Sequence, residues 1–298
     1  MEYRELGKSD LKISRIGFGA MSLEQGSPLN ENLLLRALEG GINYFDTADL
    51  YQKGLNEAVL GRAFQGKRDQ LVLASKVGNQ WRADGSGWDW NPSKKYILSA
   101  IERSLKSLQT DYIDLYQLHG GTLEDPIDDI IEAFELLKKA GKIRCYGISS
   151  IRPNVIREYV KRSSLVSVMM QYSLLDRRPE EEMLPFLYEN KIGVLARGTL
   201  AKGLLVSKPP APFLNYAETQ VNDAARIIKH ISSKERPAVA TAIRFVLNHP
   251  VISSAVIGIR TLEQLDNALE SIYPDKLTEN EMNILLQAIP VNYYENYR

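Results

Sequence analysis

Residues 41–51 read GINYFDTADLY, and the polar end of this apolar run, Asp46 with Tyr51 close behind it, decides how the chain is understood. Two further apolar runs end in the same manner: LVLASK closes at Lys76 and DYIDLYQLH at His119. In an α/β barrel, side chains at the C-terminal ends of neighbouring strands converge on one mouth, where the chemistry takes place. If these runs are consecutive barrel strands, a carboxylate, a phenol, an ammonium and an imidazole meet there. Such a set performs acid–base work without a metal.

Outward from these runs, short β-branched segments alternate with longer amphipathic ones along the whole chain. The other strand candidates are RIGFG near 17, IRCYGIS ending at 149, SVMMQY ending at 172, IGVLAR ending at 197 and SSAVIG ending at 258. Between them, apolar residues at 3–4 spacing predict helices, among them Asn30–Glu39, Asn56–Phe64, Ser93–Leu108, Ile127–Lys139 and Pro179–Glu189. Asn56 reads as an N-cap, Pro153 and Pro179 suit first turns, and Gly40, Gly41 and Gly141 are natural stops. Eight strands alternating with helices, without a Gly-, Ser- or Pro-rich linker, predict one parallel sheet closed as a (β/α)8 TIM barrel spanning 1–298 as a single domain. An open doubly wound sheet would need a glycine fingerprint after its first strand. Gly17-Phe18-Gly19-Ala20-Met21-Ser22 has Ser22 where the last glycine belongs. Residues 3–13 read as an N-terminal β-hairpin plugging the lower end, and 278–298 as a C-terminal extra helix and a tyrosine-rich tail.

Composition narrows the function classes. The 37 basic and 37 acidic side chains cancel, so no global field attracts nucleic acid or an anionic membrane. No apolar stretch nears the roughly 20 residues that span a bilayer. The charged start MEYRELGKSD has no signal-peptide core, and Cys145 stands alone, which fits a reducing, cytoplasmic setting. Cys145 reads as a small core residue, His230 and His249 as structural or surface groups, and no metal site or obligate protein partner is expected.

A phenol ordinarily titrates near ~10, too high for efficient proton donation at neutral pH. A neighbouring ammonium stabilises its anion, and Lys76 supplies one if Asp46 holds it charged. A lysine closing an apolar strand is costly to bury unpaired, so it implies such a partner. His119 is placed to hydrogen-bond and polarise a substrate carbonyl. A nucleophilic Lys76 forming a Schiff base is the competing chemistry.

Over nearly its whole length the sequence resembles the aldo-keto reductase superfamily. The resemblance rests on YRELGKSDLKISRIGFGAM, GINYFDTADLY, LASK, DYIDLYQLH, IRCYGISS, MMQYSLLDR and SAVIGIRTLEQL, in that order. It is closest to the bacterial branch related to potassium-channel β-subunits and general stress reductases. The resemblance implies that Asp46, Tyr51, Lys76 and His119 are a catalytic tetrad with Tyr51 as the acid in carbonyl reduction. It also implies a hydride from NADPH (NADP+ in the reverse direction) and a small-molecule carbonyl substrate. By the same motifs, Ser149, Ser150 and Gln171 would hold the nicotinamide carboxamide, with Gly19 and Met21 near the ring. Arg197, Gly198, Thr199, Leu200, Lys202 and Gly203 would meet the pyrophosphate. Gly258, Arg260, Gln264 and Asn267 would surround the adenosine end, with Arg260 on the 2′-phosphate.

Three positions depart from the family pattern: Ser150 and Ala268 stand where asparagine is common, and Arg197 where an aromatic ring is. They bear on cofactor binding rather than on reaction class. The channel-subunit kinship supplies an alternative function, a nicotinamide-binding redox sensor with little turnover. Three segments are candidate pocket walls: the tryptophan-rich loop 81–90 (WRADGSGWDW), the Pro-rich loop 206–216 (VSKPPAPFLNY) and the tail VNYYENYR.

Overall fold

The computed structural model describes residues 1–272 and 276–298. Two short strands, β1 (Tyr3–Glu5) and β2 (Lys12–Ser14), pair antiparallel at the start. The barrel strands are β3 (Ile16–Gly19), β4 (Tyr44–Asp46), β5 (Val72–Val77), β8 (Ile113–Leu118), β9 (Ile143–Ser149), β10 (Ser167–Gln171), β11 (Gly193–Arg197) and β12 (Ile252–Gly258). They close in the order β3-β4-β5-β8-β9-β10-β11-β12, every pair parallel. A small antiparallel hairpin, β6 (Asn79–Trp81) with β7 (Trp88–Trp90), stands directly after β5.

Strand periodicity of two splits each barrel strand into two faces. Phe18, Phe45, Leu73, Tyr116, Ile148 and Val194 face outward into the large core shared with the helices. Tyr44, Val72, Ala74, Leu115, Cys145, Met169, Leu195 and Val256 face the lumen and form a second cluster with Leu6, Leu11 and Ile13 of the β1–β2 hairpin. That shared cluster makes the hairpin a floor to the barrel. The lumen is narrow: a Cβ on Gly17 would fall 2.6 Å from the Tyr44 ring. One step further along the same inward face come Asp46, Lys76, Ser149, Gln171, Arg197 and Gly258, now at the upper mouth.

The helices run α1 (Asn30–Glu39), α2 (Leu55–Ala63), α3 (Lys94–Leu108), α4 (Ile127–Lys139), α5 (Pro153–Arg162), α6 (Met183–Glu189), α7 (Glu218–Ile231), α8 (Ala238–Leu247), α9 (Leu262–Glu270) and α10 (Glu279–Gln287). Ser93 caps α3 by accepting the Tyr96 N–H at 3.3 Å. Two expectations are corrected. Asn56 is not a cap: Gly54, with φ of 83°, precedes α2, and Asn56 lies buried inside it. Its amide bonds the Thr47 hydroxyl and the Ala20 carbonyl instead, tying the loops after β3 and β4 together. The segment 179–189 is broken, a 3₁₀ turn at Arg178–Glu180 followed by α6, because Glu182 is non-helical and Pro185 tolerates only a first helical turn.

The tail past α10 crosses the upper loops. Asn292 accepts the Arg177 N–H (2.9 Å), the Tyr216 hydroxyl donates to the Pro290 carbonyl (2.7 Å), and the Arg152 guanidinium lies 4.6 Å from the Tyr297 ring centre. Both wall candidates, 206–216 and the tail, are therefore packed against each other and against the loop after β10. Leu11 is 1% exposed in the floor of the barrel. Leu11→Ala is expected to lower the unfolding free energy by roughly 2–5 kcal/mol in urea titration. A loss under ~1 kcal/mol would show that the hairpin does not seal the lumen.

Candidate active site

β4, β5 and the end of β8 are neighbours in the barrel, so their last inward side chains meet. The Lys76 side chain is 1% exposed and its ammonium donates to Asp46 Oδ1 at 2.5 Å, to the Thr47 carbonyl at 2.8 Å and to the Tyr51 hydroxyl at 3.4 Å. Asp46 Oδ2 accepts from Gln117 Nε2 at 3.2 Å and lies 3.5 Å from the Tyr44 hydroxyl. Across the mouth, the His119 ring meets Tyr51 edge-on with centroids 5.7 Å apart and an 81° interplanar angle. The structure thus brings all four predicted residues together.

Burial would pull the Lys76 ammonium down, but Asp46 and then Tyr51 outweigh it and hold the ammonium above the ordinary lysine value. Burial pushes the Asp46 carboxyl up against the opposing pull of Lys76 and the bonds from Gln117 and Tyr44. A lysine held charged at this depth requires the carboxylate as its anion. With three protein acceptors taking its protons, Lys76 has no free lone pair, which argues against a Schiff-base role. Burial, then the charges of Lys76 and Arg197, push the His119 imidazole down to about 3. It is neutral at physiological pH, and its buried Nδ1 has no hydrogen-bond partner among the described residues.

Sequence reasoning missed the supports. Gln117 and Tyr44 each precede a tetrad residue by two positions, the lumen spacing that identifies them. Behind β5, the Ser75 hydroxyl donates to Glu57 at 2.5 Å, and burial raises both Glu57 and Asp49 to about 7. No local signal announces these two buried acids.

The predicted cofactor positions ring the same mouth. Gly19 pairs with Asp46 on one side and Gly258 on the other, and Met21 beside it is 65% exposed. Ser149 ends β9, while Ser150 is buried and its hydroxyl accepts the Arg152 N–H at 3.2 Å. Gln171 is engaged at both ends of its amide: Nε2 donates to Asp176 at 2.8 Å and Oε1 accepts from Arg197 at 3.1 Å. After β11, Gly198 (φ 72°) leads into Thr199, Leu200 and a 3₁₀ turn, Ala201–Gly203, in which Lys202 is exposed. Thr199 as a whole is 2% exposed, and its hydroxyl donates to the Ala196 carbonyl at 3.5 Å. Ala268 lies fully buried in the core, and Asn267 beside it is half-buried.

At the start of α9, Thr261 caps the helix and Gln264 accepts the Arg260 N–H at 2.9 Å. The Arg260 side chain is exposed, and neither it nor Lys202 pairs with a carboxylate among the described residues. A cation left unpaired beside a helix N-terminus, as Arg260 is at the start of α9, suits the phosphate of a dinucleotide, and glycines at the mouth leave its surface open. The residues present fit a nicotinamide cofactor. Among the described residues no cluster of His, Cys, Asp or Glu could hold a metal ion, and no helix is long and apolar enough to cross a membrane.

The sequence model of the Aldo/keto reductase family matches residues 15–289. This chain belongs to that family. It is 46% identical over 307 residues to the uncharacterized oxidoreductase YqkF of Bacillus subtilis, covering 100% of both chains. The holo form of aldo-keto reductase AKR11C1 from Bacillus halodurans superposes with a TM-score of 0.94 at 46% identity, covering 100% of this chain and 99% of that one. The NADH-specific methylglyoxal reductase of Escherichia coli is 33% identical over 220 residues, 67% of this chain and 68% of that protein. Family membership makes the chain an oxidoreductase and implies a nicotinamide cofactor.

His119 generates a pH prediction. Between about 6.5, its ordinary value, and about 3, its folded value, the unfolded chain binds a proton that the folded chain refuses. The stability held there is complete above the upper limit and is lost as pH falls through the window. The free-energy difference between the parent and His119→Gln, from urea midpoints, is therefore expected to shift against the parent on going from about pH 7 to about pH 5. A pH-independent difference would contradict the neutral imidazole.

Proposed function

We propose that the protein is an NADP(H)-dependent reductase of small aldehydes or ketones, with Tyr51 delivering the proton to the carbonyl oxygen. The observation that supports this is the Lys76 ammonium set between the Asp46 carboxylate (2.5 Å) and the Tyr51 hydroxyl (3.4 Å), with the neutral His119 ring beyond. When bound, the reduced nicotinamide supplies hydride to the carbonyl carbon.

The chain's own residues do the rest. Lys76 stabilises the negative charge left on the Tyr51 oxygen as its proton departs, and Asp46 keeps that ammonium charged and aimed. A neutral His119 can donate one N–H to the substrate oxygen, orienting it toward Tyr51 without itself losing a proton to it. In alcohol oxidation the same Tyr51 oxygen takes the proton. Ser149, Ser150 and Gln171 would bond the carboxamide, Gln171 from an amide already aligned by Asp176 and Arg197. Gly198, Leu200, Lys202 and Gly203, with the backbone of Thr199, would meet the pyrophosphate. Gly258, Gln264 and Asn267 would meet the adenosine. The unpaired Arg260 guanidinium supports a preference for the 2′-phosphorylated cofactor.

With NADPH and a panel of simple aldehydes, Tyr51→Phe is expected to lower kcat by about 10²-fold or more while retaining NADPH binding. Parent-like turnover would remove Tyr51 as the acid. Arg260→Ala is expected to raise KM for NADPH about tenfold, the loss of one charge-assisted phosphate bond, with KM for NADH within about twofold. Equal effects on both cofactors would place the 2′-phosphate elsewhere.

A further inference from the structure

Tyr51 sits on a segment that its own backbone does not favour. Immediately after it, Gln52 (φ 52°), Lys53 (φ 57°) and Gly54 (φ 83°) all adopt left-handed conformations, two of them with side chains that disfavour it. Strain of this kind persists only where the surroundings over-determine the conformation. Here the surroundings are the β6–β7 hairpin and the loop after β3. The Trp81 indole N–H donates to the Leu50 carbonyl at 3.0 Å, one residue before Tyr51. Lys53 Nζ lies 5.1 Å from the Trp81 ring centre and 3.5 Å from the Gly85 carbonyl at the hairpin turn. Gln52 Nε2 ties the segment from the other side, to the Leu23 carbonyl at 2.7 Å.

The hairpin's other end holds His119. Asn79, buried at its base, donates to the His119 carbonyl at 3.2 Å, and the Trp90 ring packs against Gly78 and Gly120 while its N–H bonds Asp125 at 2.9 Å. The hairpin itself is pinned by the Arg82–Asp89 pair. Its first and last tryptophans turn toward the active-site loops, while Trp88 is 48% exposed.

We propose that this hairpin is a clamp that sets the spacing between the Tyr51 hydroxyl and the His119 imidazole, with Trp81 as the positioning residue for Tyr51. The positioning role rests on the reading of Tyr51 as proton donor. The clamp itself rests only on contacts.

Trp81→Phe keeps a ring under Lys53 and removes the indole N–H. Amide hydrogen exchange across residues 50–54 is expected to accelerate about tenfold, with the melting temperature little changed. In NADPH-dependent aldehyde reduction, kcat is expected to fall about tenfold, a modest displacement of the donor, with KM for NADPH within about twofold. Gln52→Met, which removes the opposite tie, is expected to reproduce both effects. Added to Tyr51→Phe, Trp81→Phe should cost nothing further, because the group it positions is gone. Unchanged exchange in both variants overturns the clamp. Full activity of Trp81→Phe beside an inactive Tyr51→Phe, or additive losses in the double variant, overturns the positioning role alone. Full activity of Tyr51→Phe instead overturns the proton-donor reading and the role resting on it, while the exchange rates still decide the clamp.

Discussion

An ammonium sealed inside a barrel lumen must have an anion against it, because burying it alone costs several kcal/mol after all relaxation. Lys76 and Asp46 meet that requirement at 2.5 Å, and much around them follows from keeping the pair. Gln117 and Tyr44 reach the second carboxylate oxygen, the Thr47 carbonyl takes another lysine proton, and Tyr51 lies at the remaining one. The positive charge thus lies 3.4 Å from the Tyr51 hydroxyl. The same charge, with burial and Arg197, keeps His119 neutral. After burial, the charge held in this ion pair is the next contribution to keeping the imidazole neutral.

The parts of this arrangement legible in the sequence are those governed by strand periodicity. Asp46, Lys76 and His119 end apolar runs, and the barrel places strand ends at one mouth whatever the loops do. All eight barrel strands were readable for the same reason, and so was the floor hairpin, whose Leu6, Leu11 and Ile13 fill the lumen. What periodicity does not encode was misread or missed. Asn56 looks like a cap, yet its amide serves Thr47 and Ala20, contacts that exist only in the folded chain. The left-handed Gln52 and Lys53 carry no glycine or asparagine signal, and their side chains reach distant partners, the Leu23 carbonyl and the β6–β7 hairpin. The sequence marks the tryptophan-rich loop as a candidate pocket wall, but where its indoles turn depends on contacts with distant residues such as Leu50 and Asp125. The resemblance sets Ala268 where an asparagine is common, while its place on α9 buries it in the core.

The cofactor side of the mouth follows a different logic from the tetrad. Gln171 is held between Asp176 and Arg197, the Ser150 hydroxyl accepts the Arg152 N–H, and the Thr199 hydroxyl donates to the Ala196 carbonyl. Arg260 and Lys202, by contrast, are exposed and unpaired among the described residues. Hydrogen-bonded side chains at the ends of β9–β11 thus stand apart from the exposed cations of the loops after β11 and β12.

The charge state of Lys76 is the most direct test of the account. Nitrogen-15 NMR of the lysine side chains is expected to show Lys76 Nζ fully protonated at neutral pH and beyond the ordinary lysine titration, with its protons in slow exchange. Substituting Asp46→Asn should bring its titration down below that of exposed lysines. A Lys76 amine already neutral near pH 7, or one whose titration ignores Asp46, would contradict the ion pair on which the site is built.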